Sequence, residues 1–298
     1  SIGSELCRQI LELKAKKILL IDNSEHNLYN IYEELKEKNL SREKIIPILG
    51  DVTNKKLVNR FIEKYKVDLI FHAAAYKHVP LVENNPIAGL INNVLSTSIL
   101  CEAVKKNKVK QFILISTDKA VRPTNVMGAS KRLAELIVQA YANDEMKKSI
   151  DNKEFIKFSM VRFGNVLGSS GSVIPLFKRQ IKQGGPITLT HKDITRFFMT
   201  IKEAVELVLQ SVSIAENGDV VLLDMVKPVK IKYLEEQLVR LSGLRIKDEK
   251  NINGDIQIKC TGLRSGEKLY EELLIDAKSE PTKHPLIYKA KEASTELK

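Results

Sequence analysis

Cysteine is scarce in this chain: Cys7, Cys101 and Cys260 are the only three in 298 residues, odd in number and far apart. They offer no disulfide framework and no metal-ligand spacing, so small buried side chains in a reducing compartment are expected, and no metal. Missing too is any uninterrupted apolar run of the roughly 18–20 residues that a membrane span needs. The chain opens on Ser1-Ile-Gly-Ser-Glu5 and passes straight into an amphipathic segment, without a secretory leader. As written, it reads as a soluble protein. It has no internal repeat and no low-complexity stretch, and its 43% apolar content excludes wholesale disorder. The length suits one large domain, or a domain with a small lobe.

Arginine is also sparse, with 11 against 37 lysines, although the formal charge is +11. The lysines are dispersed and interleaved with glutamates, as in Glu33-Glu34-Leu35-Lys36-Glu37-Lys38. The densest basic patch, Lys105-Lys106-Asn107-Lys108-Val109-Lys110, has the look of a helix C-terminus, where the dipole favours cations. No nucleic-acid-binding signature accompanies it, and no nucleic-acid partner is expected.

What is present is an alternation. Short apolar runs at 17–21, 45–49, 68–72, 111–116 and 157–162 read as strands. Helical patterns occupy 4–13, 25–38, 54–65, 87–108 and 126–143. Strands apolar throughout are buried on both faces, so the pattern predicts an α/β fold with a doubly wound parallel sheet. After about residue 165 the rhythm changes, which suggests a smaller C-terminal lobe. The expected division is 1–165 for the sheet domain, 166–276 mainly for the lobe, and 277–298 for an extended, poorly packed tail.

Ligands of such sheets bind beyond the C-terminal strand ends, where polar clusters recur. Asp22-Asn-Ser-Glu25, Gly50-Asp51-Val52-Thr53 and His72-Ala-Ala-Ala-Tyr-Lys77-His78 follow successive strands. Gly3 opens a helix and Asp22 lies 19 residues on, near the spacing of a dinucleotide-binding glycine and its ribose-binding acid. The small Ala73-Ala74-Ala75 run would let a flat ring approach the backbone. The richest cluster is Ser116-Thr117-Asp118-Lys119 with Met127 and Lys131, the last two sharing a helix face four residues apart. Asp118 and Lys119 supply an acid and a base candidate at one strand tip.

The block Ser116-Thr-Asp-Lys-Ala-Val-Arg-Pro-Thr-Asn-Val-Met-Gly-Ala-Ser-Lys131 resembles the active-site block of extended short-chain dehydrogenase/reductases acting on nucleotide sugars. Residues 72–86, Asn92-Asn-Val94, 162–169, 193–200 and 261–269 are similar to the same family. More narrowly, the chain resembles CapD-type polysaccharide-biosynthesis dehydratases, whose members include membrane-tethered UDP-N-acetylglucosamine 4,6-dehydratases. The resemblance implies a Rossmann-like NAD-binding domain with a smaller UDP-sugar lobe. It also implies a homo-oligomer, and a cytoplasmic catalytic region anchored to the bacterial inner membrane by a segment outside this sequence. It implies oxidation at carbon 4 of the sugar, loss of water across carbons 5 and 6, and return of the hydride to carbon 6.

By the same resemblance, Ile2, Gly3, Asp22, Ser24, Asp51, Val52, Ala73, Ala74, Tyr76, Asn93 and Lys131 contact NAD. Asp118 handles the hydroxyl protons, Thr117 assists, Lys119 is the carbon-5 base, and Lys131 holds the nicotinamide ribose. Lys77, His78, Asn165, Arg196, Arg264 and Glu267 bind substrate, the two arginines at the diphosphate. Arg162 is either a ligand contact or a structural residue. Two departures stand out. Met127 replaces the usual tyrosine, and a thioether cannot accept a proton; within the resemblance this marks a configuration-retaining subgroup. The first strand and earlier glycines of the cofactor loop are missing, which implies a catalytic portion of a longer protein. A 4-epimerase, a one-step reductase and a non-catalytic NAD-binding regulator are the alternatives.

Overall fold

The computed structural model describes residues 1–38, 44–148, 155–169, 171–249, 251–274, 278–290 and 292. The expected alternation is present. Helix α1 (Ile2–Glu12) precedes β1 (Ile18–Asp22), α2 (Glu25–Glu37), β2 (Ile45–Leu49), α3 (Lys55–Tyr65) and β3 (Leu69–His72). A continuous helical stretch over 86–106 leads to β4 (Gln111–Ile115), and the long helix Val126–Lys148 leads to β5 (Lys157–Arg162). Caps fix two of these starts: Ser24 accepts from the Asn27 amide and Asn54 from the Leu57 amide.

Strands β3, β4 and β5 pair in parallel, and β5 pairs in parallel with Val220–Leu223. The period of two sorts β4 between two cores. Phe112 and Leu114 face Val104, Ala134 and Val138, while Ile113 and Ile115 join Leu6, Val205 and Val208 on the opposite face. β1 and β2 form a separate parallel pair. Among the described residues β1 and β3 are not hydrogen-bonded to each other, and a cleft of about 1890 Å³ is lined by both.

Two expectations need correction. The segment at 279–290 is extended but well packed: Ser279–Pro281 and Ile287–Ala290 add antiparallel strands beyond Val220–Leu223, and Ile287 is fully buried. Strands of three and four residues are too short for composition alone to give a signal. Ala277, Lys291 and residues 293–298 of the expected tail lie outside the described residues. Because the main sheet recruits strands from 220 onward, residue 165 does not bound it. The smaller lobe has its own core, in which Phe177, Ile187, Ile231, Val239 and Ile256 meet.

The cysteines also divide: Cys101 is buried, Cys7 half-buried and Cys260 exposed. By length and hydropathy the helical stretch Pro86–Lys106 could cross a membrane. In this fold it packs Leu100, Cys101, Ala103 and Val104 into the core.

Candidate active site

The cleft extends between β1 and β3 and opens over the C-terminal ends of the parallel strands, where successive strand-to-helix turns deliver their side chains. Ile2, Gly3, Asp22, Asp51, Val52, Ala73, Ala74, Tyr76, Lys77 and His78 line it from one side. Thr117, Lys119, Met127, Lys131, Asn165, Arg196, Arg264 and Glu267 complete it. Three expected contacts do not reach it. Ser24 is the cap of α2, Asn93 is buried behind the wall, and Asp118 is fully buried beneath Thr117 and Lys119.

Asn93 organises the wall instead. It lies in a single π-helical turn, Ile91–Leu95, within the stretch 86–106. Such turns re-aim side chains out of the ordinary helical register. Its amide accepts from the Tyr76 backbone N–H at 2.7 Å, and donates to the Tyr76 carbonyl at 2.9 Å and Ser130 Oγ at 2.9 Å. The loop after β3 is thereby fixed to the long helix. His72 below it is buried with its ring near Thr97 and Ser96, and burial, aided by Lys131, pushes its pKa down to about 3. It is a neutral structural group.

At the tip of β4, Thr117 Oγ1 donates to Asp118 Oδ1 at 2.9 Å, and Lys119 Nζ donates to the same oxygen at 3.0 Å. Lys119 Nζ also donates to Asn165 Oδ1 at 3.1 Å. Asp118 Oδ2 is buried with no hydrogen-bond partner. It faces Gly164, where a Cβ would stand 3.1 Å from it and 2.9 Å from the Phe197 Cβ. Gly128 is equally constrained: a Cβ there would overlap the Lys119 carbonyl oxygen. The long helix therefore seats against the Asp118–Ala120 turn only because residue 128 has no side chain.

Met127 and Lys131 share the helix face toward this tip, as their spacing implies, and both are buried. Lys131 Nζ donates to the Ile115 carbonyl at 2.6 Å, and burial, partly opposed by Glu135, pushes its pKa down to about 8. Beneath it lies a network that the sequence left half-read. Arg162 is completely buried and holds Glu135 through two bonds of 2.7 and 2.6 Å, while also pairing with Glu292. Arg162 is therefore structural. Ser116 Oγ donates to the same Glu135 at 2.6 Å, which ties β4, β5, the long helix and the C-terminal segment together.

The two arginines expected at a diphosphate differ. Arg264 is exposed at the cleft, and among the described residues its guanidinium forms no ion pair. Arg196 is buried, with bonds to the Thr195 carbonyl at 2.7 Å and to Glu267 at 3.3 Å. Glu267 accepts from the Arg264 amide at 3.1 Å and so links the two. Glu271 was not singled out in the sequence, yet its carboxylate lies 3.8 Å from Lys119 Nζ. Its one signal was position, two residues beyond the Thr261–Leu269 block.

The residues facing the cleft suit a dinucleotide. A Cβ on Gly3 would meet only the Ala73 Cβ, at 3.9 Å, which leaves the first turn of α1 open. Asp22 stands at a strand end with Oδ1 held by the Ser24 amide at 2.8 Å, which orients the carboxylate toward the cleft. A helix start and a buried lysine as donors, with a strand-end acid as acceptor, are the groups such a cofactor uses.

Residues 1–292 match the family described as polysaccharide biosynthesis protein. The capsular polysaccharide biosynthesis protein CapD of Staphylococcus aureus is 49% identical over 274 residues, which are 92% of this chain and 43% of CapD. The chain thus spans less than half of that relative. A UDP-glucose 4-epimerase of Rickettsia canadensis is 38% identical over 236 residues, 79% of this chain and 63% of the epimerase. Among solved structures, Pen from Bacillus thuringiensis superposes with a TM-score of 0.83 at 32% identity, covering 97% of this chain and 84% of Pen. DesIV, a dTDP-glucose 4,6-dehydratase from Streptomyces venezuelae solved with NAD and TYD bound, gives 0.75 at 19% identity, covering 91% and 84%. This second likeness is one of fold, the Rossmann-type fold of short-chain dehydrogenase/reductases. With its full described length matched, the chain belongs to the CapD-type polysaccharide biosynthesis protein family.

Proposed function

We propose that this chain carries the active site of an NAD-dependent UDP-N-acetylglucosamine 4,6-dehydratase that retains configuration at carbon 5 and serves surface-glycan synthesis. The observation that carries this reading is the Thr117–Asp118–Lys119 tip beside the cleft, where a hydroxyl and an amine both donate to one Asp118 carboxylate oxygen, the amine from 3.0 Å. Simple hydride transfer needs no such pair.

Bound NAD would supply a hydride acceptor for carbon 4 and return the hydride to carbon 6. Gly3, Asp22, Ala73, Ala74 and Lys131 would hold it, with Ile2, Asp51, Val52 and Tyr76 around them. Ser24 and Asn93 act on it indirectly, by orienting Asp22 and the Tyr76 loop. Met127 cannot take the 4-hydroxyl proton, and Asp118 is out of direct reach. Thr117 Oγ1 lines the cleft and already donates to Asp118, so the proton passes to Asp118 through the Thr117 hydroxyl. Lys119 removes the carbon-5 proton, and protonated Asp118 returns its proton to the departing 6-hydroxyl by the same route. Arg264 binds the diphosphate. Lys77, His78 and Asn165 contact sugar or phosphate, while Arg196 and Glu267 brace that side of the cleft.

A 4-epimerase is the second reading, favoured by the Rickettsia relative's name. Product analysis separates them: the dehydratase yields a sugar lighter by one water, while an epimerase yields an isomer of unchanged mass. Asp118→Asn and Lys119→Ala should each lower turnover by about 10²–10⁴-fold; near-full turnover in both would remove the assignment. A homo-oligomer is part of the proposal. A shallow apolar groove lined by Leu90, Ile91, Val94, Leu95 and Ile137 supports it, and a monomer by light scattering would count against it.

A further inference from the structure

The start of the long helix Val126–Lys148 is held by Glu83 and Asn125. Glu83 Oε1 accepts from the Val126 amide, Asn125 Oδ1 from the Gly128 amide at 2.8 Å, and the Asn125 carbonyl from the Ala129 amide at 2.9 Å. That much is ordinary capping. The other end of the Asn125 side chain makes a contact that capping does not need. Its Nδ2 donates to the Gly266 carbonyl at 3.0 Å, and Thr124 Oγ1 donates to the same oxygen at 2.8 Å. The orientation of the amide is forced, since a backbone N–H can only donate and a carbonyl can only accept. Gly266 sits at φ +71°, and a Cβ there would stand 2.8 Å from both the Asn125 Cβ and the Thr124 carbonyl oxygen. The two segments therefore meet backbone against backbone.

Gly266 belongs to the irregular stretch that carries Arg264, the exposed guanidinium at the cleft. At its ends this stretch is tied to the lobe: the Thr261 amide donates to the Leu189 carbonyl at 2.9 Å, and the Leu269 carbonyl accepts from the Thr195 amide at 3.2 Å. Between those ties Arg264 and Glu267 close a turn, through the Glu267 amide on the Arg264 carbonyl at 3.0 Å and the Arg264 amide on the Glu267 carboxylate at 3.1 Å. On the opposite side the loop is fastened at Gly266 and, two residues on, by Lys268 Nζ donating to the Val121 carbonyl at 2.8 Å. A long arginine on an irregular loop loses much freedom when it grips an anion, and fixing the loop beforehand lowers that cost. We propose that Asn125 and Thr124 are positioning residues for nucleotide binding. They seat the Arg264 loop on the start of the helix that carries Met127 and Lys131, so the guanidinium is in place for a diphosphate. Such a coupling is reciprocal, and a loaded loop in turn steadies the helix. The inference rests on the reading of Arg264 as the diphosphate ligand and adds how its loop is held.

The two ends of the Asn125 amide can be separated. Asn125→Asp keeps an oxygen for the Gly128 amide, and a negative charge suits a helix start, but the donor to Gly266 is gone. Thr124→Val removes the other donor at nearly the same shape. In the double variant the helix stays capped while the loop is untied. Calorimetric titration of the intact protein with UDP should then show affinity weaker by about tenfold or more, with the NAD affinity and the urea unfolding midpoint at their wild-type values. Asn125→Ser, a neutral cap, should do the same beside Thr124→Val; weakening with the aspartate alone would trace the effect to charge and overturn the proposal. Hydrogen exchange reads the reciprocal effect: UDP should slow amide exchange over 126–131 in the wild type and not in the double variants. Equal UDP affinity in wild type and double variants would overturn the proposal. Faster exchange over 126–131 in the variants without UDP would do so too, because the pair would then act as helix caps alone. Thr124→Val by itself should weaken UDP by about threefold and stands in if the double variants fail to fold. A wild type that binds no UDP removes the diphosphate reading of Arg264, and this role with it.

Discussion

Single residues in this protein carry charges whose burial sets their behaviour. Glu235, on the helix Ile231–Leu241, is fully buried and neither carboxylate oxygen has a hydrogen-bond partner. Burial, with Glu236 adding, pushes its pKa up from 4.5 to about 7. The unfolded carboxyl ionises first as the pH climbs, so stability falls between pH 4.5 and about 7 and is level above. Glu235→Gln should abolish that decline and raise stability at pH 8 by about 1–3 kcal/mol, as read by urea unfolding at pH 5 and pH 8. Glu292 has the opposite sign. Burial alone would raise its pKa, but the hydrogen bonds and charge of Arg162, with Arg132, bring it below the ordinary value. Its stabilising effect is present above the unfolded pKa of 4.5 and is lost as the pH falls through the lowered folded value. Glu292→Gln should therefore destabilise at pH 7 by about 1–3 kcal/mol and matter progressively less in acid; equal destabilisation at pH 3 and pH 7 would contradict this.

Elements were the most legible level of the sequence. Five apolar runs and their helices lie where alternation and turn chemistry put them, because parallel strands buried on both faces write themselves as continuous Val/Ile/Leu/Phe runs. Tertiary demands wrote the rest. The π-helical turn at Ile91–Leu95 has no periodicity of its own, so Asn93 reads as a cofactor contact until its partners at Tyr76 and Ser130 are seen. The strands at 279–290 are too short to announce themselves. Spacing put Met127 and Lys131 on one face, whereas the burial of Asp118 and the arrival of Glu271 beside Lys119 depend on packing between distant segments. Gly128 shows how tightly two elements are fitted at the site. Gly128→Ala should shift the Asp118–Ala120 turn and lower turnover by at least about tenfold, with a stability loss of about 1–3 kcal/mol. Activity assays beside thermal melts would check it, and a fully active, equally stable variant would contradict the fit.

At the scale of the whole molecule, the parallel strands line one side of the cleft and the segments carrying Arg196 and Arg264 line the other. The C-terminal segment binds the two aspects together, since Glu292 closes the Arg162–Glu135 network beneath the active-site helix. In the proposed reading the dispersed lysines that dominate the net charge take little part, and three placed cations at the cleft, Lys119, Lys131 and Arg264, carry the chemistry. The central claim is that this cleft removes water from a nucleotide sugar by lifting the proton at carbon 5. Incubating the protein with UDP-N-acetylglucosamine and NAD in heavy water and recording the proton spectrum of the product tests it most directly. A 4-keto-6-deoxy sugar with solvent deuterium at carbon 5 is the expected result; a product that keeps its 6-hydroxyl and its carbon-5 proton would contradict it.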